Sequence, residues 1–265
     1  MRSNRSQKKR RVEKPSQKSK DTYITCGRNA VLDGMKSGRV LTVYVSESTK
    51  SNEKIQEVIA DARVRKIKVE FVTTKFLDSV IGDKKMHQGV AAVCKKPDNL
   101  SLDGFLNSVE DRKNVGVVLL TEIEYEQNLG AVMRSMDASG CDALIVANRI
   151  KNADSMVVRK VSMGAYDSLN IFNQNIFIAI NMLKKRGFRI LGVEAGSQKY
   201  YINEDLSGKI ALVFGGENKS LTEPVVEACD GVISIPMMGN VTSLNVSASV
   251  AVVIYERLRQ IVTTS

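Results

Sequence analysis

Ile210-Ala211-Leu212-Val213-Phe214-Gly215-Gly216-Glu217-Asn218 decides the fold class. Five uninterrupted apolar residues suit a strand buried on both faces, as in a parallel sheet covered by helices. The two glycines predict a tight loop at the strand's carboxyl end, where open α/β sheets hold ligands. They would also expose backbone to a ligand that approaches closely. Downstream, Gly231-Val232-Ile233-Ser234-Ile235-Pro236 reads as a second strand stopped by proline, with Val232–Ile235 at its centre. Ser243 then opens a helical pattern running to about Ile261, and it suits an N-cap as well as a functional role.

The same alternation extends through the carboxyl-terminal half. Strands are expected over Val115–Leu120, Ala143–Ala147, Ser168–Ile171, Arg189–Val193 and Ile210–Phe214. Helices are expected between them, over Leu129–Ala138, Ser155–Met163, Gln174–Arg186 and Glu223–Cys229, which implies a mostly parallel sheet with helices on both faces. Residues 21–96 predict a separate small α/β sandwich. Its helices fall over Asn29–Ser37, Asn52–Ala62 and Thr74–Ile81, and its strands over Leu41–Ser46, Lys68–Val72 and Val90–Cys94. Residues 97–112, polar with a short amphipathic piece at Leu102, Phe105 and Leu106, read as a linker to a domain spanning 113–265.

Charge is distributed unevenly. Of the net +10, residues 1–20 carry +8, from nine Lys/Arg and the single acid Glu13. This Ser/Gln/Lys/Arg-rich segment predicts a disordered tail drawn to phosphate through Lys8, Lys9, Arg10 and Arg11, or a solubilising terminus. It lacks the apolar face of a transit peptide and the apolar core of a secretory signal, so an intracellular, cytoplasmic protein is expected. No stretch approaches the roughly 20 apolar residues of a membrane span. Four scattered cysteines with no Cys-x-x-Cys pair, and one histidine, argue against a zinc site or a disulfide framework, so no metal is expected.

A dinucleotide fingerprint and a Walker phosphate loop are both missing. Glu217 sits where bound phosphate would need donors, so the loop favours a cationic or zwitterionic ligand.

Three elements, read together, carry a specific likeness. Asn128-Leu129-Gly130-Ala131-Val132-Met133-Arg134 follows the first strand of the second half; Gly215-Gly216-Glu217-Asn218 and Ser243-Leu244-Asn245-Val246-Ser247 come later. In this order they resemble the motifs of the SpoU/TrmH family of RNA ribose 2′-O-methyltransferases, in the SPOUT superfamily. The likeness covers roughly residues 113–262, with Val158–Ala165 similar to a connecting helix. Residues 21–96 are more weakly similar to a ribosomal-protein-like RNA-binding domain, through Gly27-Arg28-Asn29-Ala30-Val31 and His87-Gln88-Gly89-Val90.

The resemblance implies a deep trefoil knot, a homodimer, S-adenosylmethionine as methyl donor, and structured RNA, 23S rRNA foremost, as substrate. Carried over, the cofactor residues are Glu194, Ala195, Gly196, Gly215, Gly216, Ile235, Pro236, Met237, Ser243, Leu244 and Asn245. The catalytic set is Arg134, Asn128, Glu217, Ser243 and Asn245, with Arg134 and Arg28 also touching RNA. Asn128 would cap its helix or orient Arg134, and Glu217 and Asn245 would hold the motif loops together. A tRNA substrate, or a non-catalytic ribosome-associated role, are the alternatives. His87 reads as a loop or packing residue. The acidic run Glu122-Ile123-Glu124-Tyr125-Glu126 departs from the family pattern and calls for an explanation near an RNA path.

Overall fold

The computed structural model describes residues 21–82, 86–95, 100–147, 153, 155–216 and 219–264, and divides after Lys96 into two compact units. In the first, β1 (Thr22–Cys26), α1 (Arg28–Lys36), β2 (Val40–Ser46), α2 (Glu53–Val64), β3 (Lys68–Val72), α3 (Thr74–Ile81) and β4 (Val90–Lys95) follow in order. The sheet runs β1-β4-β2-β3, with β4 antiparallel to both neighbours and β2 parallel to β3. Alternation along β2 sorts its faces. Val43 and Val45 join Val31 and Met35 of α1 and Ile55, Val58 and Ile59 of α2 in one core. Tyr44 faces the other way, its ring 5.5 Å from Phe76 of α3. Asn52 and Thr73 cap α2 and α3 through their side-chain oxygens.

The second unit contains α4 (Leu102–Ser108), β5 (Val115–Leu120), α5 (Glu126–Ser139), β6 (Ala143–Val146), α6 (Met156–Ser162), α7 (Ala165–Ser168) and β7 (Asn170–Asn173). It continues with α8 (Ile176–Lys185), β8 (Arg189–Val193), β9 (Lys209–Phe214), α9 (Glu223–Ala228), β10 (Gly231–Ile233) and α10 (Val246–Thr264). All strands are parallel, in the order β10-β8-β9-β5-β6-β7. Val118 and Leu120 of β5 face a core shared with α5, α6 and α10, whereas Val115, Val117 and Leu119 face one shared with α4, α8 and α9. Both faces are therefore covered, as the apolar runs require.

Residues 97–112 are corrected from a linker. Leu102, Phe105 and Leu106 are buried on one side of α4, capped by Ser101, and α4 belongs to the second unit's core. Their spacing of three and four residues is that of a helix face, and burial rather than polarity decides the segment. The strand read over Ser168–Ile171 lies two residues later, because Ala165–Ser168 forms a helical turn. β10 ends at Ile233, and Ser234 continues only as a bridge to Tyr200.

Register places the functional edge. Leu120 pairs with Phe214, Phe214 with Val193, and Val193 with Ile233, so four strands end in line and their loops leave from one edge. From the outer strand β10 the chain returns to the middle, where Val250, Val253 and Ile254 of α10 enter the core with α5. Arg257 lies buried against Gly116 of β5, where a Cβ would fall 2.9 Å from its Cζ. Burial lowers the pKa of this guanidinium, opposed by Cys141 and Asp142.

Candidate active site

At the common edge, the loops after β8, β9 and β10 enclose a cavity of about 440 Å³. Glu194 and Ala195 come from the first loop, Gly215, Gly216, Lys219 and Ser220 from the second, and Ile235, Met237, Thr242, Ser243 and Leu244 from the third. Val193, Phe214, Val246 and Ser249 complete the wall. Of the residues expected at the cofactor, eight line this cavity, while Gly196, Pro236 and Asn245 lie outside its lining. Glu217 lies outside the described residues, as do Lys8, Lys9, Arg10 and Arg11.

The loops are held by specific contacts. The Glu194 carboxylate accepts from the Leu221 N–H at 2.8 Å, joining the first loop to the second. Gly216 N–H donates to the Lys219 carbonyl at 2.8 Å, closing a turn. A Cβ on Gly215 would come within 2.7 Å of that same carbonyl oxygen, and one on Gly216 within 3.0 Å of Glu122 Cβ. At Gly215 the chain's own packing leaves no room for a Cβ, and at Gly216 it leaves little, a reason for glycine that adds to the close ligand approach expected from the sequence. Glu122 also explains part of the acidic run: its carboxylate lies 3.4 Å from Lys219 Nζ, while Ile123 is buried in the core.

Asn128 and Asn245 meet across 117 positions of sequence: Asn245 Nδ2 donates to Asn128 Oδ1 at 3.2 Å. Asn245 Oδ1 in turn accepts from Ser247 N–H at 2.9 Å and from Ser247 Oγ at 2.7 Å. With α10 beginning at Val246, Asn245 caps that helix and Ser243 does not. Ser243 is freed to face the cavity. Asn128 is not the cap of α5, since Tyr125 precedes that helix and Asn128 sits in its first turn. Arg134 is exposed on the same helix, six residues on, about 9 Å along the axis, and outside the cavity lining. Gly130, between them, allows α6 to approach: a Cβ would fall 2.7 Å from Val161 Cβ and 3.0 Å from the Val158 carbonyl oxygen.

The family described as SpoU rRNA Methylase matches residues 106–255, and the one described as RNA 2′-O ribose methyltransferase substrate binding matches residues 24–100. The chain belongs to the SpoU rRNA methylase family. It is an RNA 2′-O-ribose methyltransferase. A Staphylococcus aureus relative assigned to the TrmH family of tRNA/rRNA methyltransferases is 31% identical, over 91% of this chain and 96% of its own. A Bacillus subtilis relative of the same assignment is 32% identical over 88% and 94%. A crystal structure of an RNA 2′-O ribose methyltransferase superposes with a TM-score of 0.78 at 25% identity, covering 93% of this chain and 91% of that one. The fold also matches the SpoU methyltransferase AviRb from Streptomyces viridochromogenes, solved with AdoMet, at a TM-score of 0.76 and 21% identity, covering 92% of each chain.

Several site residues escaped the sequence reading, namely Lys219, Ser220, Thr242, Ser249 and the brace Glu122. Each adjoins a motif, and adjacency was the available signal. In the first unit, Arg28 is half-buried at the start of α1, and its N–H donates to Gln88 Oε1 at 3.4 Å. His87 is buried as a loop residue.

Proposed function

We propose that this chain transfers the methyl group of S-adenosylmethionine to a ribose 2′-hydroxyl of structured RNA, with 23S rRNA the favoured target. The observation that carries the reading is the cavity on which all three loops converge, linked to motif one through the Asn128–Asn245 hydrogen bond. Its size falls within the roughly 300–1,000 Å³ of small-molecule sites. Its lining suits a zwitterionic sulfonium: apolar Ile235, Met237 and Leu244, hydroxyls of Ser220, Thr242 and Ser243, exposed backbone at Gly215, and the Glu194 carboxylate.

Bound there, S-adenosylmethionine supplies an electrophilic methyl group, and the remaining chemistry falls to the chain's own residues. Arg134 binds the RNA phosphate beside the target ribose and stabilises the alkoxide that forms as the hydroxyl loses its proton. Arginine keeps its charge in proteins, so it orients and stabilises rather than acting as the base; the proton leaves to water or phosphate. Asn128 and Asn245 fix the start of α5, and with it Arg134, relative to the cavity. Glu217 is assigned to the same loop bracing.

The return of the chain from the outer strand β10 to α10 at the middle of the sheet, with Ser234 Oγ donating to the Ser197 carbonyl at 2.7 Å, supports a trefoil knot in this region. A homodimer is supported by the apolar groups exposed around motif three, with Met238 97% and Val241 65% exposed. The first unit and the basic residues 1–20 are assigned to RNA capture in the cytoplasm. A tRNA substrate is the second reading, favoured by the tRNA/rRNA assignment of the relatives.

Transfer of tritiated methyl from S-adenosylmethionine to 23S rRNA and to total tRNA, assayed side by side, tests the target. Labelling of rRNA alone is expected, and labelling of tRNA alone would replace the favoured target by the second. Removing residues 1–20 should weaken RNA binding more at low salt than at high salt.

A further inference from the structure

The first unit holds the chain's only histidine, His87, in a constrained setting. The ring is 4% exposed, and both nitrogens are engaged. Nδ1 accepts from the Gly89 N–H at 2.9 Å, so it carries no proton, and Nε2 faces Asp78 Oδ1 of α3 at 3.2 Å as the donor. This buried pair adds to the hydrogen bonds that hold the loop, from Ser46 N–H to the Gly89 carbonyl and from Val90 N–H to the His87 carbonyl, both at 2.8 Å. Gln88 takes φ +48°, a left-handed value that disfavours a residue with a side chain. Gly89 follows at φ +86°, where a Cβ would fall 2.2 Å from Thr49 Oγ1.

The loop so held has one outward product. Gln88 is exposed, and its Oε1 accepts from the Arg28 N–H at the start of α1. Gly27 N–H donates to the Val90 carbonyl at 3.1 Å, so both sides of the loop are tied to the segment that carries Arg28. With Oε1 engaged, Gln88 offers its amide N–H groups outward; Arg28 beside it is half-buried, its Nε shut off from solvent with no hydrogen-bond partner among the described residues, so an acceptor such as an RNA phosphate oxygen would satisfy it.

We infer that His87 is a positioning residue for substrate RNA: through Nδ1 it sets the 86–89 loop so that Gln88 and Arg28 form one donor surface for the RNA. The inference rests on the reading of the first unit as the RNA-capturing part. A buried ring, hydrogen-bonded at both nitrogens beside a left-handed backbone, gives a histidine far along the chain from the motif loops a local task.

The two ring contacts can be separated. His87→Asn places Oδ1 where Nδ1 was, and so keeps an acceptor for the Gly89 N–H. His87→Gln moves its amide out toward Asp78 and loses that acceptor. In filter binding of the full chain to transcribed 23S rRNA, His87→Gln should weaken affinity about tenfold or more, and His87→Asn should stay within about threefold of the parent. Affinity for S-adenosylmethionine and kcat at saturating RNA should be unchanged in both. Parental RNA affinity in His87→Gln, or equal losses in both variants that track their melting temperatures, would overturn the role of His87. The joint variant Arg28→Ala with Gln88→Ala separates the underlying reading. If it binds RNA as the parent does, the surface itself is wrong; if it alone loses affinity, only the positioning role fails.

Discussion

The two units solve the same problem at the ends of their sheets in opposite ways. In the second, the loops after β5, β8, β9 and β10 brace one another through Glu194 to Leu221, Glu122 to Lys219 and Asn245 to Asn128. In the first, the loop before β4 is held by one buried imidazole between Asp78 and Gly89, together with backbone hydrogen bonds from Ser46 N–H to the Gly89 carbonyl and from Val90 N–H to the His87 carbonyl. Bracing between loops spreads the cost of losing one contact over several side chains, whereas the first unit's loop relies on one buried ring together with backbone hydrogen bonds. A site that must enclose a small molecule from three sides gains from the first arrangement. A surface that presents two side chains to a large polymer needs only the second.

The largest effect should come from the residue that neither arrangement buries. Arg134→Ala is expected to lower kcat by about 10²–10³ and to weaken RNA binding, with folding and methyl-donor affinity retained, because the transition-state charge and the neighbouring phosphate both lose their partner. Stopped-time methyl transfer with calorimetry on the same variant checks this. Arg134→Lys should recover part of the loss if charge dominates and little if the planar fork is needed.

Next in size is the helix contact that supports the shared bracing. Gly130→Ala would force a Cβ against Val161 and the Val158 carbonyl, and should destabilise the second unit by about 1–3 kcal/mol in chemical denaturation. Parental stability would mean that α5 and α6 part freely and that the motif glycine serves some other end.

Asn245→Ala removes the α10 cap and the link to Asn128 together, and should cost about 1 kcal/mol of stability. Asn128→Ala removes the link and leaves the α10 cap in place. If bracing is shared, it should raise KM for S-adenosylmethionine only severalfold, an effect read by steady-state kinetics. Smallest is Lys219→Met: its partner contact is 3.4 Å long with the lysine 73% exposed, so thermal melting should change by no more than an exposed pair allows, about 0–1 kcal/mol.

The parts of this architecture legible in the sequence are those where burial and local pattern agree. Lys68–Val72, Thr74–Ile81, Val115–Leu120 and Arg189–Val193 form the elements their apolar periodicity predicts. Elements were missed where local composition and tertiary burial diverge. β1, a five-residue edge strand, follows a strongly basic segment and owes its place to pairing with β4. α4 lies in polar surroundings and becomes part of the core through three side chains. At the site, residue types marked the three loops, but which residue braces which could not be read from spacing. Ser243 and Asn245 both suit an N-cap, and only the start of α10 at Val246 separates them. Gly215 and Gly216 advertise close approach without saying whether a ligand or the neighbouring loop makes it.

The central claim is transfer of a methyl group to a ribose hydroxyl, and the identity of the labelled nucleoside tests it most directly. Total rRNA would be incubated with the full chain and S-adenosylmethionine tritiated in the methyl group, then digested to nucleosides and separated. Label in a 2′-O-methylated nucleoside, abolished by Arg134→Ala, is the predicted result. Label in a base-methylated nucleoside, or none with RNA and methyl donor both shown to bind, would contradict it.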